Sequence, residues 1–219
     1  MAKSPIQQDE QAGAKERIME AAERLFADQG YSATSVGQIA EAARVNRALL
    51  YYYFKNKRDL YWAIIHCGLE EVLALLADAN RAPGGAWQRV ERFVRSYCEL
   101  LVTRHNLVRI VFREMTGTGE QEQLGLPIQR YLHDSLASAR ALFQEGEAAG
   151  EFQGLDSRLT AFSLFGMIHI FFMERLTRRR RFSTDAVVAH TLELLRHGAH
   201  APEDATAAHS TKRSIKRKA

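Results

Sequence analysis

The sequence of 219 residues has few cysteines and few prolines. Its two cysteines, Cys67 and Cys98, can supply neither a disulfide framework nor a four-cysteine metal site. The histidines are scattered without paired ligand spacing, so we predict no metal site and no cofactor. The four prolines interrupt no long periodic segment, and no segment alternates apolar and polar residues with period two. We therefore predict no strands.

The sequence also lacks a long hydrophobic run. The longest nearly apolar stretch, residues 161–173, is interrupted by Ser163, Gly166 and His169, which makes it too short and too polar for a membrane span. The first twenty residues contain no apolar run of the kind found in secretory signals. We expect a cytoplasmic protein with no membrane partner. Apolar residues make up 46% of the chain, enough to bury a core.

No set of catalytic groups can be assembled from the motifs in this chain. We find no nucleophile–base pair, no paired carboxylates and no glycine-rich phosphate loop. The sequence therefore predicts a protein that is not an enzyme.

The formal net charge of +4 is unevenly distributed. Residues 30–58 contain five basic side chains and one acidic side chain, and residues 201–219 contain five basic and two acidic ones. Such concentration is expected of a surface that binds phosphate. Charge alone is equally compatible with an ordinary solvated face.

The periodicity of apolar residues predicts an all-α protein of about nine helices. Gly30 should end the first helix, and Ser35 with Gln38 forms a capping box at the start of the second. Side chains suited to N-cap positions precede four later helices, and these are Asn46, Asn56, Asp156 and Ser183.

The second and third helices are joined by only about three residues, Ala43-Arg44-Val45, which indicates a helix-turn-helix. In the third helix Leu50 and Phe54 can pack inward, while Arg47, Tyr51 and Tyr52 point toward DNA. Arginine near the start of such a helix is the usual reader of guanine. The three consecutive tyrosines could instead be core residues, but they span about 300° of arc, so at least one should be exposed.

Residues 18–65 strongly resemble the DNA-binding domain of TetR-family (tetracycline-repressor-like) transcriptional regulators. The resemblance is carried by Ala21-Ala22, Leu25-Phe26, Gly30-Tyr31, Ala33-Thr34-Ser35-Val36, Ile39-Ala40, Ala43, Val45, Leu50-Tyr51, Phe54, Lys57 and Leu60. It implies phosphate contacts from Thr34 and Ser35, recognition-helix contacts from Arg47, Ala48, Tyr51 and Tyr52, and a DNA-backbone contact from Lys57. Arg44 departs from the family pattern, because that turn position usually holds glycine and a left-handed conformation would disfavour arginine.

The eighth predicted helix is apolar on most of its circumference, so we expect a second chain to cover part of it. The family resemblance likewise implies a homodimer formed by the last two long helices. The residues predicted at this interface are Phe162, Phe165, Gly166, His169, Phe172, Val188, Leu192 and Leu195. A twofold dimer implies a palindromic operator in double-stranded DNA.

The resemblance also implies a pocket for a small-molecule effector in the helical body. Candidate lining residues are His66, Cys67, Tyr97, Cys98, Phe112, Met115, His133, Phe143 and His169. His169 interrupts an apolar run and must find a hydrogen-bond partner if buried. That partner could be an effector or a group across the dimer interface.

We divide the chain into a flexible arm (residues 1–11), a helix-turn-helix domain (12–56), an effector-binding and dimerisation domain (57–200) and a basic disordered tail (201–219). The function expected is that of a one-component repressor, released from its operator by the effector. An activator, an effector-promoted DNA binder of the same fold and a nonspecific DNA-binding protein are the alternatives.

Overall fold

The computed structural model describes residues 5–115, 128–152, 156–177 and 182–199. Within these ranges the chain is helical and contains no strand, which confirms the all-α prediction. The helices are α1 (Pro5–Gln29), α2 (Val36–Ala42), α3 (Arg47–Tyr53), α4 (Lys57–Arg81), α5 (Ala86–Thr103), α6 (His105–Met115), α7 (Ile128–Ala148), α8 (Ser157–Thr177) and α9 (Thr184–Ala199).

The helices form two compact units. The first comprises Met1–Ala74 and Leu100–Leu132, and the second comprises Leu75–Glu99 and His133–Ala219. Helices α4, α5 and α7 each contribute residues to both units. This division differs from the predicted boundary at residue 56, because the first part of α4 and all of α6 belong with the helix-turn-helix.

One hydrophobic core unites the helices of the first unit. Ile18 and Phe26 of α1, Leu50 of α3, Leu60 of α4 and Ile110 of α6 are all fully buried in it. Together with Ile39 of α2, these side chains from five helices fix the helix-turn-helix against a scaffold much larger than the motif itself.

Helix α1 begins at Pro5, within the segment predicted as a flexible arm. Proline suits the first helical position because its missing N–H would have no partner there. The predicted flexible arm, residues 1–11, thus overlaps the first residues of α1. The predicted basic tail, residues 201–219, lies outside the described residues.

The predicted N-caps of the later helices are present. The side-chain oxygens of Asn56, Asp156 and Ser183 each accept a hydrogen bond from an amide in the first turn of the following helix, at 2.8, 2.9 and 3.1 Å. Each cap satisfies a backbone donor that the helix leaves unpaired.

The second unit contains a cap that the sequence did not reveal. Both carboxylate oxygens of Glu151 accept hydrogen bonds from backbone amides at the start of α5, those of Ala86 at 2.8 Å and Trp87 at 3.0 Å. These bonds to the charged form hold the pKa of Glu151 below its ordinary value. The carboxylate also complements the positive end of the helix dipole.

Among the described helices, α4 alone is long and apolar enough to cross a membrane by those two criteria. Leu60, Ile64 and Leu69 of this helix are buried in the core of the first unit. The apolar character of α4 is thus explained by packing inside the protein.

Candidate DNA-binding interface

The helix-turn-helix is built from α2, a tight turn and α3. The Ser35 hydroxyl accepts a hydrogen bond from the Gln38 amide at 3.2 Å, while the Gln38 side chain accepts one from the Ser35 amide at 2.7 Å, forming the predicted capping box. Asn46 caps α3 by accepting a hydrogen bond from the Leu49 amide at 2.7 Å. These bonds hold both helix starts while Ser35 stays exposed.

The turn between these helices places Arg44 in the left-handed region, with φ of 55°. The amide of Val45 donates to the carbonyl of Ala40 at 2.9 Å, and that of Ala43 donates to Ile39 at 2.9 Å. These bonds close the end of α2 and impose the positive φ. Arg44 is exposed, so its side chain extends into solvent from a strained backbone position.

Helix α3 has one buried and one exposed side. Leu50, like Phe54 just after the helix, is buried in the core of the first unit, as predicted. Arg47 and Ala48 are exposed, Tyr51 is 50% exposed and Tyr52 is 66% exposed. The prediction that at least one of the tyrosines is exposed is confirmed.

Thr34 is not available at this surface. Its side chain is 1% exposed, and its hydroxyl donates a hydrogen bond to the carbonyl of Gly30 at 2.7 Å. The predicted phosphate contact through the Thr34 hydroxyl is therefore wrong. The hydroxyl instead closes the loop after α1, where it satisfies an orphan carbonyl.

Lys57 has a structural role that the sequence did not indicate. Its ammonium donates hydrogen bonds to the carbonyls of Tyr31 at 2.8 Å and Thr34 at 2.9 Å, and it lies 4.1 Å from the centre of the Tyr31 ring. Because these bonds use two of the three ammonium protons, at most one is left for a phosphate. Lys57 thus fixes the loop that leads into α2.

Exposed cations surround the helix-turn-helix. Lys55 and Arg58 are exposed together with Arg44 and Arg47. The sequence counted Lys55 and Arg58 toward the basic window but did not include them in the predicted site. Their exposure, joined to their position beside α3, makes this part of the first unit a positively charged surface suited to phosphates.

Arginines in and just before α6 fix that helix to α1. Arg113 donates to the backbone carbonyls of Phe26 at 3.1 Å and Ala27 at 3.2 Å. Two ion pairs add to this attachment, Arg109 with Asp28 at 3.0 Å and Arg104 with Glu23 at 3.1 Å, and Arg104 also pairs with Glu71 of α4. The contacts of Arg104 and Arg113 are partly buried, so they contribute more to the attachment than the exposed Arg109–Asp28 pair does.

The predicted effector residues are divided between the two units. His66, Cys67 and Phe112 lie in the first unit, as does Met115, whose side chain is outside the described set. Tyr97, Cys98, His133, Phe143 and His169 lie in the second. His133 is exposed and therefore does not line an enclosed pocket. The structure thus does not gather the nine residues within one unit.

In the first unit, two of these residues have structural partners. The His66 ring packs edge-on against Trp62 and Tyr131, with ring centres 5.7 and 5.3 Å apart. Cys67 contacts the carboxylate of Glu71 at 3.7 Å. Burial, with the nearby negative charge, raises the pKa of the Cys67 thiol, so the thiol stays protonated.

The second unit contains a hydrogen-bonded polar pair, the buried Tyr97 and the half-buried His169. The Tyr97 hydroxyl and Nε2 of His169 are hydrogen-bonded at 2.6 Å, and Phe93 and Phe165 pack against the tyrosine ring. Burial lowers the pKa of His169 to about 4 and raises the pKa of Tyr97. Burial also raises the pKa of the neighbouring Cys98 to about 12. All three side chains are therefore neutral at pH 7.

The predicted dimer residues fall into two groups. Phe162 is 52% exposed and Gly166 is also exposed, with open space where a Cβ would lie. Phe165, Phe172, Val188 and Leu195 are buried within the chain, and His169 and Leu192 are half-buried. The prediction that the four buried side chains form a surface for a partner is wrong, because they already pack within this chain.

The exposed side of α8 includes two large residues that the predicted set omits. Leu159 is 65% exposed and Ile170 is 63% exposed. With Phe162 and Gly166 they lie at positions 159, 162, 166 and 170, which is the spacing of one helix face. We call these four residues the α8 face.

Within the described part of the chain, no group of three His, Cys, Asp or Glu residues is placed to hold a metal ion. The site is therefore defined by an exposed basic helix-turn-helix, which is the architecture of a DNA-binding protein.

Comparison with known families agrees with this class. The family model for bacterial regulatory proteins of the tetR family matches residues 18–64, and the model for the tetracyclin repressor-like C-terminal domain matches residues 83–172. The chain belongs to the tetR family. It is a DNA-binding transcriptional regulator and not an enzyme.

Known relatives cover most of the chain. It is 26% identical over 185 residues to the fatty acid metabolism regulator protein of Bacillus subtilis, covering 84% of this chain and 94% of that one. The structure of FadR from Bacillus subtilis in complex with stearoyl-CoA has a TM-score of 0.69 at 26% identity, covering 84% and 98% of the two chains. FadR from Bacillus halodurans, with a TM-score of 0.69 at 24% identity over 89% and 96%, shows the same fold.

Proposed function

We propose that this regulator is a repressor that binds a palindromic operator as a homodimer and is released by a small-molecule effector. The observation that carries DNA binding is the exposed face of α3, where Arg47, Ala48, Tyr51 and Tyr52 project from a helix whose other side is buried. A rigid helix with exposed polar side chains is what major-groove docking requires. Operator and regulator belong in the cytoplasm.

The exposed side chains divide into two roles. Arg47 lies at the start of α3 and is the side chain we assign to a base edge, because a guanidinium can donate two hydrogen bonds to guanine. The hydroxyls of Ser35, Tyr51 and Tyr52 can donate hydrogen bonds to phosphate oxygens. Such contacts fix the register of the helix on the DNA. Ala48 allows close approach of the helix to the groove.

DNA binding is tested with duplexes selected by the protein from a library with a randomised core. We expect Arg47→Ala to weaken binding to the selected duplex by about 1–3 kcal/mol and to relax preference at one base pair in each half-site. Arg140→Ala, which removes an exposed arginine of the second unit, is the matched control and should bind like the wild type. Failure of the wild type to enrich any sequence would contradict operator recognition.

The α8 face supports the proposed homodimer. Its large apolar side chains stay exposed in the isolated chain. Burying each of them in an interface would stabilise the complex by about 1.5–3 kcal/mol. Gly166 lies among them and allows close approach of another helix. A face of this kind on a helix is commonly covered by a partner, and a second copy makes the arrangement self-complementary.

The dimer is tested by light scattering of variants that place a carboxylate on the α8 face. We expect Phe162→Glu to produce monomers at concentrations where the wild type is dimeric, because a charge would be buried unpaired. Gln144→Glu adds the same charge at an exposed polar position of α7 and should remain dimeric. A dimeric Phe162→Glu chain would place the interface elsewhere.

The relative from Bacillus subtilis that binds stearoyl-CoA makes an acyl-CoA thioester our proposed effector class. The second unit supports an apolar ligand, since its Tyr97–His169 pair carries no charge at pH 7. An uncharged pair of hydrogen-bonding groups among phenylalanines can accept an apolar chain with little desolvation cost.

Stearoyl-CoA is therefore the probe for effector response. We expect it to release the wild-type protein from the selected duplex, while coenzyme A without the acyl chain has no effect. A transcription assay with the duplex placed upstream of a promoter then distinguishes repressor from activator. If stearoyl-CoA releases the protein from DNA, adding it raises transcription for a repressor and lowers transcription for an activator. Tighter DNA binding with stearoyl-CoA would favour the effector-promoted alternative.

A further inference from the structure

Gly37 lies inside α2, where no backbone requirement explains it. Among the described glycines those with positive φ are Gly30, Gly84 and Gly150, so Gly37 has an ordinary helical conformation. Glycine is a poor helix former because it loses the most backbone freedom on folding. In a helix of only seven residues, a glycine that nothing requires would weaken the motif.

The space beside Gly37 is occupied by the guanidinium of Arg47. A Cβ built on Gly37 would lie 2.5 Å from Nη2, 3.3 Å from Cζ and 3.4 Å from Nε of Arg47. A real Cβ does not approach another heavy atom to 2.5 Å, so any side chain at this position would displace the guanidinium. The missing side chain thus allows Arg47 to lie against the first turn of α2.

The Arg47 guanidinium lies beside Gly37 because there is space for it there, and no charged partner among the described residues attracts it to this place. Within the described part of the chain, none of the ion pairs involves Arg47. The start of a helix carries partial positive charge, which gives no attraction to a guanidinium. Gly37 therefore leaves open the space that the exposed Arg47 guanidinium occupies.

We propose that Gly37 is a positioning residue for Arg47 and determines the direction in which its guanidinium enters the major groove. This inference rests on the proposed function, in which Arg47 reads a base. A methyl group at position 37 would occupy this space and redirect the guanidinium.

The experiment compares Gly37→Ala and Gly13→Ala, each alone, with Arg47→Ala and the double variant Gly37→Ala/Arg47→Ala. Gly13 is the matched control because it lies in α1, where an added Cβ would meet the nearest arginine atom at an ordinary 3.5 Å. The probes are a duplex selected by the wild type from a randomised library and a duplex of unrelated sequence, both measured by fluorescence anisotropy. Thermal unfolding is measured for every variant.

We expect Gly37→Ala to unfold at the wild-type temperature or above it, as should Gly13→Ala. Gly37→Ala should bind the selected duplex about tenfold more weakly and the unrelated duplex as the wild type does. In the Arg47→Ala background, Gly37→Ala should cause no further loss, because the displaced group is absent. Gly13→Ala should bind both duplexes like the wild type.

Three results would overturn the proposal. One is wild-type affinity of Gly37→Ala for the selected duplex, and another is an equal loss in the presence and absence of Arg47. The third is failure of both Gly37→Ala and the double variant to fold, which would show that position 37 serves helix packing alone. A different failure, wild-type binding by Arg47→Ala, would refute the base-reading role of Arg47 itself.

Discussion

Acid should destabilise this protein through His169. The imidazole is half-buried in the second unit and hydrogen-bonded to Tyr97 at 2.6 Å, and desolvation lowers its pKa from the ordinary 6.5 to about 4. Between these two pH values the unfolded chain binds a proton that the folded chain does not. The free energy of unfolding must therefore fall as the pH decreases through this range.

The magnitude follows from the two pKa values. The stabilisation from neutral His169 is complete above pH 6.5, falls steadily below it, and is lost by about pH 4. One pKa unit corresponds to about 1.4 kcal/mol, so the full effect is about 3 kcal/mol, and the part lost between pH 7.5 and pH 5.0 is about 2 kcal/mol.

Urea unfolding at pH 7.5 and pH 5.0, at one protein concentration, measures this loss. His169→Gln is the control because glutamine does not titrate and its amide can still bond to Tyr97. The wild type should lose about 2 kcal/mol more than His169→Gln over this interval. Equal losses would mean that His169 is protonated in the folded chain and would refute its assignment as a neutral buried group.

Three further predictions concern the first unit. Gly68→Ala would place a Cβ 1.7 Å from Cδ2 of Leu107 and should lower the free energy of unfolding by about 1–3 kcal/mol in urea, with partial recovery when Leu107→Ala is added. Tyr61→Phe removes the 2.6 Å hydrogen bond to buried Glu114 and should cost about 1–3 kcal/mol in the same assay, and an unchanged midpoint would contradict this pairing. Arg44→Gly relieves the left-handed strain and should raise the free energy of unfolding by about 0.5–1 kcal/mol, while a decrease would show that the Arg44 side chain stabilises the fold.

The features that could be predicted from the sequence are those fixed by neighbouring residues. The capping box of Ser35 and the N-cap of Asn46 depend on side chains within three positions of the amides they contact. The burial of Leu50 and Phe54 follows from their four-residue spacing. Short-range geometry of this kind is nearly the same in any protein, so residue type and spacing suffice.

Features that depend on distant residues could not be predicted. Lys57 bonds to carbonyls 23 and 26 positions earlier, and Glu151 caps a helix about 65 positions earlier. For α8, which is apolar on most sides, the sequence could not show which side packs inward. It assigned Phe165 and Phe172 to the interface although both are buried within the chain. Only the packing of other helices separates the α8 face from the core side.

The helix-turn-helix breaks two local rules in opposite directions. Arg44 occupies a left-handed position that favours glycine, and Gly37 occupies a helical position that favours almost any other residue. If local backbone stability alone decided the sequence, both residues would be replaced. Departures from local preference concentrate at functional sites, where the gain lies in binding. We propose that the space left for Arg47 supplies such a gain for the glycine, and that the exposed charge of Arg44 beside α3 supplies one for the strained turn.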